Sequence, residues 1–316
     1  MNTTEQTLDY QVEKLTAAKL ADVAQLHAAV YGAIPSADFF PKKYNTAFTG
    51  VEYVGYVAYN AQRIPVGFYA VIPCFMQFGD KPVLAAQSAD TMTHPGYRYK
   101  GLFVELSNMT FQLCRDLGIN LVFGFPNQNS LPGAINKLGW QMTHQLDCFI
   151  IPVTPLLLRR ALNKLPYFKN RVSHRRKKVL AKYAVKQNII DNSVVKDGFA
   201  GVLRNDDYSR YKVYNESHVI RIGQSLIWIK ISHILLIGDM TIQAGEFDQA
   251  ITGIKKLAKK LSIKEIHFHA SPGTGLHSLF AAGCQSIPSF YALFQDFDKQ
   301  HPIENIRFTS ADIDTF

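Results

Sequence analysis

A chain of 316 residues is long enough for two domains of ordinary size, and an apolar share of 47% supplies real cores, which excludes a wholly disordered protein. The net charge of +9, from 34 Lys and Arg against 25 Asp and Glu, suits an anionic partner such as a nucleotide, a nucleic acid or a lipid surface. Cys74, Cys114, Cys148 and Cys284 form no C-x-x-C pair, so free thiols in a reducing cytoplasm are expected rather than a disulfide framework or a zinc site. The polar N-terminus has no apolar signal core. The longest apolar run, residues 225–238, is interrupted by Lys230, Ser232 and His233 and reads as two strands, not a membrane span.

Residues 15–31 are predicted helical, with Leu15, Leu20, Val23, Leu26, Ala29 and Val30 on one side. A loop is expected over 31–41. Strands follow at 53–59, at 64–78 with a break at Pro73, and at 83–93. Pro95 and Gly96 end the last of these. Arg98 to Gly101 is a short turn with two positive charges, and a helix begins at once over 102–117, where Leu102, Leu106, Met109, Leu113 and Leu117 step by three or four. Strand, basic glycine turn and helix start compose an anion site: free N–H groups at the helix N-terminus point at the ligand, and the helix dipole favours negative charge. A short apolar run at 119–125 suits a strand buried on both faces. Then come a helix opened by Ser130 and Pro132 and stopped at Gly139, and a strand over 141–153.

From Arg159 to Lys186 the chain carries basic residues and no acid, interleaved with leucines. This is either a solvated connector, or a rim for a phosphorylated substrate, a membrane or a nucleic acid. Beyond it the first half recurs. A shift of 144 residues, without gaps, brings Gly101 onto Gly245, Phe103 onto Phe247, Leu113 onto Leu257, Ile119 onto Ile263, Ser130 onto Thr274, Gly139 onto Gly283 and Gln141 onto Gln285. Such self-similarity marks a duplicated unit. The copies differ at the turn: Arg98 becomes Ile242, Lys100 becomes Ala244 and Leu102 becomes Glu246. The second turn has lost both cations and gained a carboxylate, so only the first is expected to hold a phosphate.

The turn Arg98-Tyr99-Lys100-Gly101-Leu102-Phe103 resembles the pyrophosphate loop of the GNAT superfamily of acyl-CoA N-acyltransferases, Arg/Gln-x-x-Gly-x-Gly/Ala, except that Phe103 stands where a small residue is usual. The strand and helix order over residues 15–153 resembles the same core. The resemblance implies an α/β (α+β) fold of two tandem GNAT-like domains, each a mixed sheet flanked by helices. Their bounds are expected at 1–153 for the acyl-CoA domain, 154–190 for a basic helical connector and 191–316 for a degenerate second domain. It also implies acyl-CoA, with an acetyl or 3-hydroxyacyl group, as co-substrate, and no metal. The cofactor would lie where the strands at 83–93 and 119–125 splay apart, against Thr91, Met92, Thr93, the loop Arg98 to Phe103, and Asn127, Asn129 and Ser130. A freed N–H near Thr91 would face the thioester oxygen, a donor worth about 3 kcal/mol.

The family often has a Glu eleven residues before the loop's Arg/Gln. That position is Gln87, which cannot act as a base, and Asp90 is the nearest carboxylate. Strand alternation sets Gln87, Ala89 and Thr91 on one face and Asp90 on the other, unless a bulge intervenes. The family's thiolate-protonating Tyr falls on Ile135, so no such acid is visible. His267 and His269, two apart on a strand with Glu265, could touch a metal or a substrate, though no third ligand is evident. Tyr208, Tyr211 and Tyr214 at helical spacing read as core or as a stacking surface.

Duplicated chains of this size with Phe-Pro-Asn-x-x-Ser and Lys-Leu-Gly-Trp look like bacterial transferases that acylate the amino group of nucleotide-linked (dTDP) sugars for surface polysaccharides, by direct amine attack on the thioester. A homo-oligomer is compatible with this. The alternatives are a tandem aminoacyl-tRNA-dependent peptidoglycan transferase, against which the intact turn speaks, and a non-catalytic polyanion binder.

Overall fold

The computed structural model describes residues 10–154 and 176–316, so the basic run from Arg159 to residue 175 lies outside the described residues. The chain forms two compact units. One comprises Met1–Phe75, Val83–Met142 and Leu293–Ile303; the other comprises Met76–Pro82, Thr143–Ala292 and Glu304–Phe316. This interleaved arrangement departs from the contiguous division at 153 and 190. The last strand of each sequence repeat is exchanged, so residues 143–152 complete the second unit and residues 293–296 complete the first.

In the first unit, β1 (Tyr10–Lys14) pairs antiparallel with β2 (Gly55–Asn60), and β2 with β3 (Pro65–Phe78). Next come β4 (Lys81–Thr93) and, parallel to it, β5 (Leu121–Gly124). The end of the last strand, β12 (Gln285–Asp296), lies antiparallel to β5. Helix α1 (Leu20–Tyr31) buries Leu20, Val23 and Leu26. Helix α3 (Leu102–Asp116) buries Leu102, Leu106, Phe111 and Cys114, each aliphatic side chain contributing about 2 kcal/mol. Helix α4 (Leu131–Leu138) ends at Gly139, which supplies the left-handed residue that closes it, at φ 66°.

The structure adds one strand and corrects two expectations. β1, a mostly polar edge strand, carries too little periodicity to be read from sequence. Helix α2 (Phe39–Tyr44) lies within the expected loop, held by Phe40 and Tyr44, which are one turn apart and buried. Pro73 does not break β3, because the ladder to β2 has already ended at Ala70 and the missing N–H removes no rung on that side.

In the second unit, β6 (Gln141–Pro152) pairs antiparallel with β11 (Glu265–Ala270). β7 (Gly201–Val202) pairs with Met76 and Gln77 at the end of β3. β8 (Ser217–Ile222) and β9 (Ser225–Ile231) form a hairpin, and β9 pairs with β10 (Leu235–Thr241), which runs parallel to β11. Helices α5 (Phe247–Leu261) and α6 (Gly275–Ala281) cover a core that includes Phe149, Ile237, Leu257, Ile266, Phe268 and Phe280. Tyr208, Tyr211 and Tyr214 are buried and in ring contact with one another, so they belong to the core.

The repeat holds in three dimensions. β6 and β12 are both 12 residues long and begin at Gln141 and Gln285. Gly101 and Gly245 precede α3 and α5 with φ of 85° and 81°. Ahead of the turn the gapless register fails, since Ala85 pairs with Leu121, 36 residues on, whereas Leu235 pairs with Ile266, 31 residues on. Among the described residues no helix is long and apolar enough to cross a membrane.

Candidate active site

The parallel ladder of the first unit is short. Its rungs are Ala85, Ala86 and Gln87 against Leu121, Val122 and Phe123, yet β4 runs on to Thr93 while β5 stops at Gly124. Past Gln87 the ladder ends, and the β5-facing edge of β4, with Thr91, Met92 and Thr93, has no β5 rung. Met92 is buried, and Thr91 and Thr93 are half-buried.

At the far end of β4, the His94 side chain accepts from the Gly96 N–H at 3.2 Å and turns the chain toward the loop. Arg98, Tyr99, Lys100 and Gly101 are all exposed. Tyr99 at φ 65° and Gly101 at φ 85° place two left-handed residues in this turn, a geometry that tips successive N–H groups to one side and makes an anion-binding hollow. The N–H groups of Leu102 and Phe103 follow, with no carbonyl one turn back to bond. Lys100 Nζ lies 4.8 Å from the Tyr97 ring centroid, and neither Arg98 nor Lys100 has an acidic partner among the described residues. Two exposed cations and a free helix start therefore converge where a diphosphate is expected.

Phe103 leaves the small-residue pattern, and the fold accommodates it. Its ring lies against Tyr69, at 6.4 Å between centroids, and over Gly133 of α4, where a Cβ would come within 2.9 Å of Phe103 Cε1. Asn127, Asn129 and Ser130 form a self-contained turn. Asn127 Oδ1 accepts from the N–H groups of Asn129 and Ser130 at 2.9 and 3.1 Å, and Ser130 Oγ accepts from the Asn127 N–H at 3.1 Å. Ser130 occupies the N-cap position of α4, but its side chain closes this turn instead of capping the helix.

The two faces of β4 are fixed by its neighbours. Tyr69 of β3 sits among Phe103 and Phe111 of α3, and its hydroxyl bonds Ser88 Oγ at 2.9 Å. Phe68, next in sequence, meets Tyr44 of α2. Ser88 thus lies on the α3 face. Asp90 lies on the α2 face, where its Oδ2 accepts from Tyr44 Oη at 2.7 Å and pairs with Lys43 Nζ at 2.9 Å. Residues two apart on opposite faces require a break in alternation, the work of a bulge. The break brings Asp90 onto the face that Gln87 occupies, the exception the sequence left open. The second unit carries its own break at the matching place, a register shift between Ile237 and Asp239 just past the last parallel rung. Sequence reasoning missed Lys43, whose side chain is buried; the signal was Phe40 and Tyr44 at one-turn spacing around it.

The second unit's parallel ladder also ends, past Ile237 and Phe268, but there the chain fills its own wedge. His269 N–H donates to Ser310 Oγ at 2.8 Å, Ser271 N–H to the Phe308 carbonyl at 2.9 Å, and Ala270 bridges Thr309. Arg204 joins Asp239 at 2.6 Å and Asp312 at 2.7 Å, all three side chains fully buried. Desolvation raises the Asp239 carboxyl, and Arg204 opposes it. The Phe316 ring occupies the space that a side chain on Gly238 would need. Glu246, at the head of α5, accepts from Gln224 N–H and Ser225 Oγ. His267 bonds Glu265 and His269 bonds Ser289, so each histidine has its own partner.

Residues 11–143 match the family model of the acetyltransferase (GNAT) domain. No curated protein matches the chain in sequence. Solved structures that share its fold include the following three. A GCN5-related N-acetyltransferase from Kribbella flavida superposes with a TM-score of 0.58 at 13% identity, covering 92% of this chain and 72% of that one. A conserved protein of unknown function from Enterococcus faecalis V583 gives 0.57 at 12%, covering 92% and 74%. A GCN5-related N-acetyltransferase from Anabaena variabilis gives 0.54 at 14%, covering 92% and 73%.

Proposed function

We propose, on the premise that residues 11–143 form a GNAT domain and make this chain an acyl-CoA-dependent N-acyltransferase, that it acylates the amino group of a nucleotide-linked sugar. The acyl-CoA part is carried by one observation: an exposed turn whose two cations have no acidic partner among the described residues stands beside a parallel strand pair whose ladder ends at Gln87 and Phe123. The pyrophosphate would rest on Arg98, Lys100 and the N–H groups at the start of α3, and the pantetheine arm along β4 past Gln87. Acyl transfer then needs the neutral amine held against the thioester carbon, which is an effect of orientation. The amine nitrogen bonds the acyl carbon, the C–S bond breaks with its electron pair leaving on sulfur, and the surplus proton on nitrogen passes to a base or through water. No acid is needed to expel a CoA thiolate, in keeping with Ile135 in the position of the family's Tyr.

The acceptor part rests on the sequence resemblance and on the basic balance of +9, which suits a nucleotide diphosphate. The transferred group is acetyl or a short hydroxyacyl. The test is to incubate the protein with acetyl-CoA or 3-hydroxyacyl-CoA and dTDP-linked 3- or 4-amino sugars, and to follow free thiol. Thiol release that requires the amino sugar and is lost in Arg98→Glu supports the proposal. Release at background with every amino sugar overturns the acceptor assignment.

A further inference from the structure

Gln87 is 5% exposed, and its amide Nε2 has no hydrogen-bond acceptor among the described residues. A buried donor left unmet loses its hydration without a bond in return. Its face is fixed by two separate routes. Its neighbour Ser88 bonds Tyr69 on the α3 side, so alternation turns Gln87 the other way. Its ladder partner Phe123 precedes Gly124, whose missing side chain would point at Ser88 and Trp140, again on the α3 side, so Phe123 and Gln87 share the opposite face. That face carries α2 and Asp90, and Gln87 stands on it at the last rung of the parallel ladder.

Asp90 offers the complement. Tyr44 and Lys43 both bond its Oδ2, and no described residue is bonded to Oδ1. Gln87 and Asp90 are separated by about 10 Å of strand, shortened by the bulge between them. A free amide donor near a free carboxylate oxygen matches a group that pairs an oxygen with an adjacent N–H.

We propose that Gln87 is a specificity-determining residue that reads an oxygen on the carbon next to the reacting amine, so that the preferred acceptors are vicinal amino alcohols. Gln87 Nε2 donates to the hydroxyl oxygen, and Asp90 Oδ1 accepts from the amine N–H. As the nitrogen bonds the acyl carbon and the thiolate leaves, the nitrogen's surplus proton passes to Oδ1. This rests on the acyl-CoA reading and narrows its acceptor class.

The test uses a matched pair of acceptors, a dTDP-linked 4-amino sugar and the same sugar with the hydroxyl at carbon 3 replaced by hydrogen, on wild type and Gln87→Leu. Wild type is expected to prefer the hydroxylated acceptor by about tenfold or more in kcat/KM, mainly through KM. Gln87→Leu is expected to bring the ratio near one, with the CoA-induced rise in melting temperature unchanged. If Gln87→Leu does not fold, Gln87→Met, which is close in length and carries no N–H donor, carries the comparison with the same expected loss. A wild-type ratio near one, an unchanged ratio in the variants, or no acylation of either sugar overturns the proposal. Absence of any CoA-induced melting shift in wild type overturns instead the reading beneath it.

Discussion

Phe103 sits where the phosphate-loop pattern asks for a small residue, and the adjustment is made in another helix. Gly133 leaves room for the ring, and a Cβ there would approach to 2.9 Å. Gly133→Ala should therefore overpack the α3–α4 contact and cost about 1–3 kcal/mol in urea unfolding, with Phe103→Ala restoring much of the loss in the double variant. A Gly133→Ala variant as stable as wild type would contradict the packing described. Asp90 is the second case. Its removal takes from Lys43, 2% exposed, the carboxylate it pairs with at 2.9 Å, so Asp90→Ala is expected to destabilise the first unit by about 1–3 kcal/mol. Unfolding midpoints would register a loss of that size, and no loss would mean the pair is not formed. Neither partnership was legible in the sequence. Gly133 reads as an ordinary helix residue, and Lys43 as one more surface lysine, because both matter only through residues distant in the chain.

At the scale of elements, the strands and helices around the loop were readable because their periods are clear: α5 runs from Phe247 to Leu261 as its apolar spacing requires. The bulge in β4 was not readable. It is set by which neighbours Ser88 and Asp90 meet, and it decides that the two candidate catalytic residues share a face. The loop prediction is direct. Arg98→Glu or Lys100→Glu should weaken CoA binding by about tenfold or more, the loss of a charge-assisted contact, measured by titration calorimetry. Binding unchanged in both would remove the loop from the site. The sheet of the second unit makes a pH prediction. Burial pushes His144 on β6 and His269 on β11 down to about 4 from an ordinary value of 6.5, with Arg307 and His267 adding to the respective shifts. Because the folded values are depressed, their stabilising effect is complete above pH 6.5 and drains as pH falls toward 4. The loss is up to about 1.4 kcal/mol per pH unit for each histidine. Urea unfolding of wild type at pH 7 and pH 5 should show this loss, and His144→Gln with His269→Gln should flatten it. An equal pH slope in the variant would contradict the assignment.

At the scale of the molecule, duplication was legible as a gapless shift of 144 residues, and it survives as matched strands, helices and glycine turns. The exchange of the last strands was not legible. β6 and β12 share pattern and length, so either could complete either unit by sequence alone. The filling of the second wedge was hidden too, because residues 308–316 carry no motif; only their bonds to β11 and to Arg204 give them that place. Loss of the cations at Ile242 and Ala244 was the half of that story visible in the sequence.

The central claim is that the protein binds one acyl-CoA, on the first unit. Calorimetric titration of the intact chain with CoA tests it most directly. The account predicts one CoA per chain, with binding abolished or severely weakened in the paired Arg98→Glu, Lys100→Glu variant while its melting temperature without ligand stays near that of wild type. Two CoA per chain, or full-strength binding in that paired variant, would contradict it.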